Sequence, residues 1–230
     1  MTLTGTFDWD PSEEVYPIRL GDRLVVLYGP EVETQNERDF ALSLHRHKIF
    51  GTGGHPSSRM AVWGIHSVVH RYHDGEFPPG ASFMEIGATT GLLALVAASC
   101  GAGDCFTCSD SIEAQALSDD NGILNGFDLK IAEAAEFFGM WQFVREKGPL
   151  EVEPQLNFVA TQVGGCNSVI NYIPDIHAAL LPGGAVIWSG LTARQLKPIL
   201  HRLGEFFHDV EVFNFEGWPV ITCIKKNEPI

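Results

Sequence analysis

The segment Ser82-Phe-Met-Glu-Ile-Gly-Ala-Thr-Thr-Gly-Leu-Leu-Ala-Leu-Val-Ala97 joins a short apolar run to a longer one through a turn with two glycines. Residues 82–86 have the length and apolar content of a buried strand, and residues 92–100 are long enough for a helix. A glycine in a strand-to-helix turn lets a ligand approach the backbone, and the free N–H groups of the helix N-terminus suit a carboxylate or phosphate. The segment predicts a β-α unit with a nucleotide-like binding turn between Gly87 and Gly91.

Strands and helices alternate on both sides of this turn. A helical stripe over residues 57–72 precedes it, and later runs predict strands at 104–109, 129–132, 156–160 and 185–188 with helices at 112–124, 168–180 and 192–206. Such alternation requires a mostly parallel sheet with helices on both faces. The alternating runs 210–215 and 220–225, joined through Glu216-Gly217-Trp218-Pro219, predict a closing antiparallel hairpin.

Residues 1–48 differ from the rest and are interpreted as a short N-terminal β/α lead-in to a main domain at 49–230. The run Leu24-Val-Val-Leu-Tyr28 predicts a strand, and the polar residues 33–48 have helical spacing. This segment is too short for an independent core.

Composition limits the partners that the chain can have. The 230 residues are 45% hydrophobic and 19% charged, as in a folded globular protein, and the net charge is -14. This charge repels phosphate backbones and anionic lipid, so neither nucleic acid nor membrane is an expected partner, whereas a basic partner fits. The alternative is that the negative charge serves only to keep the protein soluble. The oligomeric state is left open.

The cysteines and the N-terminus predict a cytoplasmic protein. Five scattered cysteines form no disulfide framework, which is typical of a reducing compartment. The first ten residues lack the basic and apolar regions of a signal peptide, and no apolar run approaches the ~20 residues that span a bilayer.

A carboxylate follows the second strand of the predicted sheet. Asp110 ends the run Thr107-Cys-Ser-Asp110, and an acid at the tip of this neighbouring strand is placed to accept both hydroxyls of a ribose. Together with the Gly87–Gly91 turn, it favours an adenosine ligand. The alternative is that Asp110 only caps a helix beside a tight turn.

These segments resemble the class I S-adenosylmethionine-dependent methyltransferases, in the order 83–94, 108–110 and 121–126. More specifically, Phe50-Gly-Thr-Gly-Gly-His-Pro-Ser-Ser58 is similar to the F-G-T-G-x-H-P-T-T segment of the ribosomal protein L11 methyltransferases. The stretch Leu181-Pro-Gly-Gly-Ala-Val-Ile-Trp-Ser-Gly-Leu191, followed by Gln195, is similar to their P-G-G-x-x-x-x-S-G-I-x-x-x-Q stretch, and Glu216-Gly-Trp218 precedes the last strand as in that family. The resemblance implies a Rossmann-like class I methyltransferase fold and S-adenosylmethionine as cofactor.

The resemblance also implies a set of site residues. Family positions that contact the cofactor fall on Ser58, Gly87, Asp110 and Thr161. With the neighbouring positions of the same motifs, the predicted cofactor-binding residues are Thr52, Ser58, Glu85, Gly87, Thr89, Gly91, Asp110 and Thr161. Glu85, Asp110 and the loop 161–167 are candidates for managing the charge of an amine that must lose its proton.

Two positions depart from the family motifs. Thr89 stands where the middle glycine of the first motif is expected, which puts a β-branched side chain beside the methionine part of the cofactor. Thr161-Gln162-Val163 replaces Asn-Ile-Leu, so the carboxamide that would orient an amine is missing. We predict Thr161 and Gln162 as catalytic positions, with Gln162 or Asn167 as the substitute carboxamide. The family's longer N-terminal substrate-recognition region has only a short counterpart here.

Three functions are compatible with these residues. The first is methylation of a protein amine, the second is methylation of a small amine, and the third is a non-catalytic cofactor-binding regulator or scaffold. No metal is expected. His66, His70 and His73 share a predicted helix without an evident acidic or Cys ligand, and Cys105 and Cys108 face opposite sides of a strand. His55 could cover the cofactor or serve a structural turn.

Overall fold

The computed structural model describes residues 18–20, 24–28, 40–47, 50–73, 75–109, 111–133, 156–162 and 166–226. The helices in these ranges are α1 (Pro56–His73), α2 (Leu92–Ser99), α3 (Ile112–Leu124), α4 (Cys166–Ala179) and α5 (Ala193–Phe206). The strands are β1 (Ile18–Leu20), β2 (Leu24–Tyr28), β3 (Phe40–Leu44), β4 (Ser82–Ile86), β5 (Asp104–Ser109), β6 (Leu129–Glu133), β7 (Leu156–Thr161), β8 (Leu180–Trp188), β9 (Phe207–Phe215) and β10 (Trp218–Lys225). None of these helices is long and apolar enough to cross a membrane.

The larger sheet confirms the predicted α/β class. Its strands follow the order β6-β5-β4-β7-β8-β10-β9, in which the first five are parallel and β10 is antiparallel to both β8 and β9. The strand order reverses between β4 and β7, and ligands of open α/β sheets bind at the carboxyl ends of the strands at such a switch point. Ile86 pairs with both Cys108 and Thr161, and Thr161 pairs with Trp188, so the carboxyl ends of β4, β5, β7 and β8 lie level.

Two apolar clusters cover the two faces of this sheet. Helices α1 and α2 pack on one face and α4 and α5 on the other. Cys105 belongs to the first cluster and Cys108 to the second, which confirms that these cysteines point to opposite sides of β5. Helix α2 is buried along residues 92–97 because nearly all its side chains are apolar. Gly64 lets α1 approach the sheet, since a Cβ there would lie 2.7 Å from Cγ2 of Ile187.

The N-terminal residues form a separate three-stranded sheet in the order β1-β2-β3. The prediction of a helix over 33–48 is wrong for Phe40–Leu44, which pairs in parallel with β2. Leu42 and Leu44 are fully buried in the same core as α2, and the alternation of Leu42, Ser43 and Leu44 has the period of a strand. The rest of that predicted helix lies largely outside the described residues, and the boundary at residue 48 stays a prediction.

Candidate functional site

The turn between β4 and α2 lies at the switch point of the sheet. The backbone N–H groups of Gly87 and Ala88 both donate to the carbonyl oxygen of Cys108 at 2.9 Å, which fixes the turn to the end of β5. Gly87 is exposed with φ 77°. Gly91 has φ 72°, and a Cβ there would lie 3.2 Å from Cβ of Ser118, so the backbone conformation and the close contact with α3 both favour glycine.

Glu85 holds the start of α2 from inside the sheet. Its Oε2 accepts hydrogen bonds from the N–H groups of Leu93 and Ala94, each at 3.0 Å, and the residue is buried. Burial raises the pKa of this carboxyl to about 7, although the two backbone hydrogen bonds lower it in part. The observed contacts of Glu85 are therefore those of a helix cap, and its predicted contact with a cofactor stays a prediction.

Residues 50–55, which precede α1 and are here called the FG loop, lie on the β4–α2 turn. The Thr90 hydroxyl donates to the carbonyl oxygen of Gly51 at 2.7 Å. Gly51 has φ 113°, and a Cβ at this residue would lie 2.4 Å from Oγ1 of Thr89. The side chain of Thr89 therefore packs against the FG loop, a contact that a glycine at position 89 could not make. Thr52 is fully buried in this loop.

His55 connects the FG loop to α1 and to the last hairpin. Its Nδ1 accepts from the Ser57 N–H at 3.2 Å and lies 2.7 Å from the Ser57 hydroxyl, while its carbonyl accepts from the N–H of Ser58. These contacts cap the start of α1, so His55 has the structural turn role that was one of its two predicted roles. The imidazole also lies between two rings, with centroids 5.2 Å from Phe50 and 4.5 Å from Trp218. Burial lowers the pKa of His55.

The first turn of α1 is joined to the ends of β7 and β8 through Ser189. The Ser189 hydroxyl donates to the carbonyl of Ser57 at 2.7 Å, and its N–H donates to the carbonyl of Thr161 at 2.8 Å. Ser58 is fully buried, and its hydroxyl has no hydrogen-bond partner within the described part of the chain. A buried hydroxyl left in this way at the edge of a ligand site is suited to a bound polar group.

Thr161 and Gln162 end the strand next to β4. Thr161 is buried at the carboxyl end of β7, and its backbone is held by Ser189. Gly190 packs on the next peptide, because a Cβ there would lie 2.4 Å from the carbonyl oxygen of Gln162. The Nε2 atom of Gln162 is buried and makes no hydrogen bond among the residues described. An amide donor is thus available one residue after the position where the family has Asn.

The structure brings most of the predicted residues to one edge of the sheet. Thr89 lies there in the β4–α2 turn and Thr52 in the FG loop that packs on it. Thr161 and Gln162 lie there at the end of β7. Asp110 and the side chain of Asn167 lie outside the described residues, so their predicted roles are untested. Sequence reasoning missed Ser189, although it lies in the quoted Pro-Gly-Gly stretch. The family pattern contains this serine, but the pattern does not show that its hydroxyl bonds to the Ser57 carbonyl.

The model of the family described as ribosomal protein L11 methyltransferase (PrmA) matches residues 6–226. The chain belongs to this family. The L11 methyltransferase of Caldanaerobacter subterraneus subsp. tengcongensis is 25% identical over 221 residues, covering 95% of this chain and 65% of that relative. The chain therefore spans slightly less than two thirds of the relative's length.

Solved structures of methyltransferases share the fold. The ribosomal protein L11 methylase of Lactobacillus delbrueckii subsp. bulgaricus aligns with a TM-score of 0.73 at 20% identity, covering 91% of this chain and 98% of that chain. The 16S rRNA N2 G1207 methyltransferase of T. Thermophilus, solved in complex with AdoMet and guanosine, aligns with a TM-score of 0.59 at 18% identity over 78% of this chain and 46% of that chain. These likenesses confirm the predicted Rossmann-like class I methyltransferase fold.

Proposed function

We propose that the chain is an S-adenosylmethionine-dependent methyltransferase that modifies an amine of a protein, as in the L11 methyltransferase family. The observation that carries this proposal is the packing of the FG loop on the Gly87–Gly91 turn at the switch point of the sheet. Both segments belong to motifs by which the sequence resembles the family, and they are separated by about 30 residues in the chain. Their contact builds one site from both.

The residues at this edge fit the cofactor. Gly87 offers exposed backbone without a side chain, and Ser58 offers a buried hydroxyl that has no partner in the described ranges. We propose that Gly87 and Ser58 hold the adenosyl and methionine portions, with Thr52 and Gly91 shaping the pocket. Asp110, which follows β5 in the sequence, is proposed to accept the ribose hydroxyls.

When bound, S-adenosylmethionine supplies a methyl group already activated by the sulfonium, so the protein has to orient an amine in line with that methyl and let it lose a proton. Gln162 is the proposed orienting residue, because its carboxamide is the one at the end of β7. Its buried Nε2 has no partner among the described residues. Thr161 is proposed to line the same place from the buried end of the strand.

The proposed acceptor is a lysine-rich protein. The net charge of -14 favours a basic partner, and the relatives are named for ribosomal protein L11. The cysteines are sparse, and the four in the described residues form no disulfide, which agrees with a cytoplasmic setting for such a substrate.

One observation favours a second candidate, a cofactor-binding regulator without transfer activity. Thr89 stands where the family motif has a glycine, and its side chain packs on Gly51. If this contact persists when the cofactor binds, Thr89 displaces the methionine part of the cofactor from its usual place beside the turn, and methyl transfer fails. Methylation of a small amine is the other outcome that the tests below separate from the main proposal.

Calorimetric titration with S-adenosylmethionine and S-adenosylhomocysteine tests the cofactor. We expect saturable binding, and we expect Asp110→Ala to weaken it by ~1–3 kcal/mol because charge-assisted bonds to the ribose are lost. Absence of heat and of a thermal shift with both compounds would remove the enzymatic proposal. Unchanged affinity in Asp110→Ala would remove only Asp110 from the site.

Methyl transfer from labelled cofactor tests the acceptor. Purified ribosomal protein L11 and a cell extract are incubated with the protein, and label is followed into protein and small-molecule fractions. Label on L11 supports the proposed acceptor, label on small amines supports the small-molecule alternative, and binding without transfer supports the regulator. Gln162→Ala is expected to lower the turnover number without a matching loss of cofactor affinity. If replacing both Gln162 and Asn167 by Ala leaves transfer intact, the proposed carboxamide role is wrong.

A further inference from the structure

Asn121 joins two parts of the backbone that are far apart in the sequence. It lies in α3, is fully buried, and uses both ends of its side-chain amide. Its Nδ2 donates to the carbonyl oxygen of Thr90 at 3.0 Å, and its Oδ1 accepts from the N–H of His45 at 2.8 Å. Thr90 belongs to the β4–α2 turn, and His45 directly follows β3 of the N-terminal sheet. One amide therefore connects the turn of the candidate site to the N-terminal sheet.

Asn125, one helical turn later, bonds to β3 itself, and none of its hydrogen bonds among the described residues reaches the β4–α2 turn. Its Oδ1 accepts from the N–H of Ser43 at 2.8 Å, and its Nδ2 donates to the Ser43 carbonyl at 2.7 Å. The same Nδ2 donates to the carbonyl of Asn121 at 2.7 Å. Asn125 thus binds Ser43 of β3 as a neighbouring strand would, by pairing its N–H and C=O groups, while Asn121 binds the N–H of the residue after β3.

The surface of α3 around Asn121 lets the helix lie directly on the turn. Ser118 and Gly122 are buried on the same side, and the Gly91 backbone lies so close that a Cβ would be 3.4 Å from the Ser118 Cα. The Thr90 carbonyl and the Gly91 N–H share one peptide plane, so a hydrogen bond to this carbonyl sets the orientation of the peptide that enters α2. Gly91 keeps its left-handed φ of 72° beside that peptide.

We propose that Asn121 is a positioning residue that fixes the Thr90–Gly91 peptide for cofactor binding. This inference rests on the proposed function only for the identity of the ligand. The bond from the His45 N–H holds the other end of the same amide, so the Nδ2 donor stays aimed at the Thr90 carbonyl.

Asn121→Ala and Asn125→Ala form a matched pair, because both loosen β3 and only the first removes the bond to Thr90. Each variant is titrated with S-adenosylhomocysteine well below its own unfolding midpoint, measured in the same buffer. We expect Asn121→Ala to bind about tenfold more weakly than the parent, the ratio given by one buried hydrogen bond of ~1.4 kcal/mol. Asn125→Ala should stay within about twofold. Equal weakening in the two variants, or parent-like affinity in Asn121→Ala, would overturn the proposal.

Asn121→Leu has nearly the volume of the parent side chain but carries neither a donor for the Thr90 carbonyl nor an acceptor for the His45 N–H. It keeps α3 packed on the turn and takes the place of the alanine variant if that variant does not fold. We expect it to weaken S-adenosylhomocysteine binding as Asn121→Ala does. Parent-like affinity in this variant would contradict the positioning role.

Hydrogen exchange of the ligand-free protein separates this inference from the proposed function. The amides of residues 90–92 should exchange faster in Asn121→Leu than in Asn125→Ala, because only the former loses the contact with the turn. If the parent binds no S-adenosylhomocysteine, the proposed function fails, and this exchange difference still decides the positioning role. Identical exchange at 90–92 in the two variants would overturn it.

Discussion

Replacing Glu85 by Gln tests whether burial raises the pKa of this carboxyl and so makes stability depend on pH. The Glu85 carboxyl is buried, caps α2 through the N–H groups of Leu93 and Ala94, and has its pKa raised to about 7, chiefly by burial. Gln keeps an oxygen that accepts both N–H bonds but cannot ionise. The substitution therefore removes the titration while leaving the cap in place.

The direction of the effect follows from the raised pKa. Between the ordinary value of 4.5 and about 7, the folded protein keeps a proton that the unfolded chain has released, so the free energy of unfolding falls as the pH rises through this window. At about 1.36 kcal/mol per pKa unit, the full loss is about 3 kcal/mol. The part that falls between pH 5.5 and 8.5 is about 2 kcal/mol, and Glu85→Gln should lack it.

Urea unfolding at one-unit pH steps from 5.5 to 8.5 measures this difference above the pI of 4.9. We expect Glu85→Gln to gain about 2 kcal/mol relative to the parent across the series, with the curves closest at the acid end. Glu113→Gln, which alters an exposed carboxylate in the first turn of α3, is the control. Parallel curves for the parent and Glu85→Gln would refute the argument that burial controls this group.

Two further substitutions test the contacts that assemble the site. Gly51→Ala should cost ~1–3 kcal/mol in urea unfolding, because its φ is 113° and the new Cβ would lie 2.4 Å from Oγ1 of Thr89. Gly80→Ala shares a positive φ but meets nothing within 4 Å, so an equal cost in both variants would contradict the proposed clash. Ser189→Ala removes a buried hydrogen bond to the Ser57 carbonyl, and we expect a loss of ~0.5–1.5 kcal/mol in the same assay; an unchanged free energy of unfolding would show that the bond is not needed.

Most of the large sheet could be predicted because its strands and helices differ clearly in period. The runs at 82–86, 104–109 and 112–124 match β4, β5 and α3 as the structure has them. Residues 40–44 were harder, since a five-residue strand followed by polar residues contains too few positions to separate a period of two from one of 3.6. What decides this segment is the pairing with β2 and the asparagines of α3, which are distant in the sequence.

The candidate site was predictable as a set of motifs but not as a set of contacts. The Gly87–Gly91 turn was predicted from its residue pattern and the FG loop from the family resemblance, and their contact is a property of the fold. Glu85 looked like a ligand-binding acid, yet its oxygen is engaged by backbone N–H groups of α2. Whether the Glu85 carboxylate faces a ligand or the start of α2 depends on its side-chain rotamer, which the spacing of residues in the sequence does not encode.

A crystal structure of the protein grown with excess S-adenosylhomocysteine tests whether the cofactor site lies at the switch point of the sheet. We expect ligand density at the carboxyl end of β4, against the Gly87 backbone, with a polar group of the ligand bonded to the Ser58 hydroxyl. A structure in which Thr89 and Gly51 keep their contact, the Ser58 hydroxyl stays without a partner, and no ligand occupies that edge would contradict it.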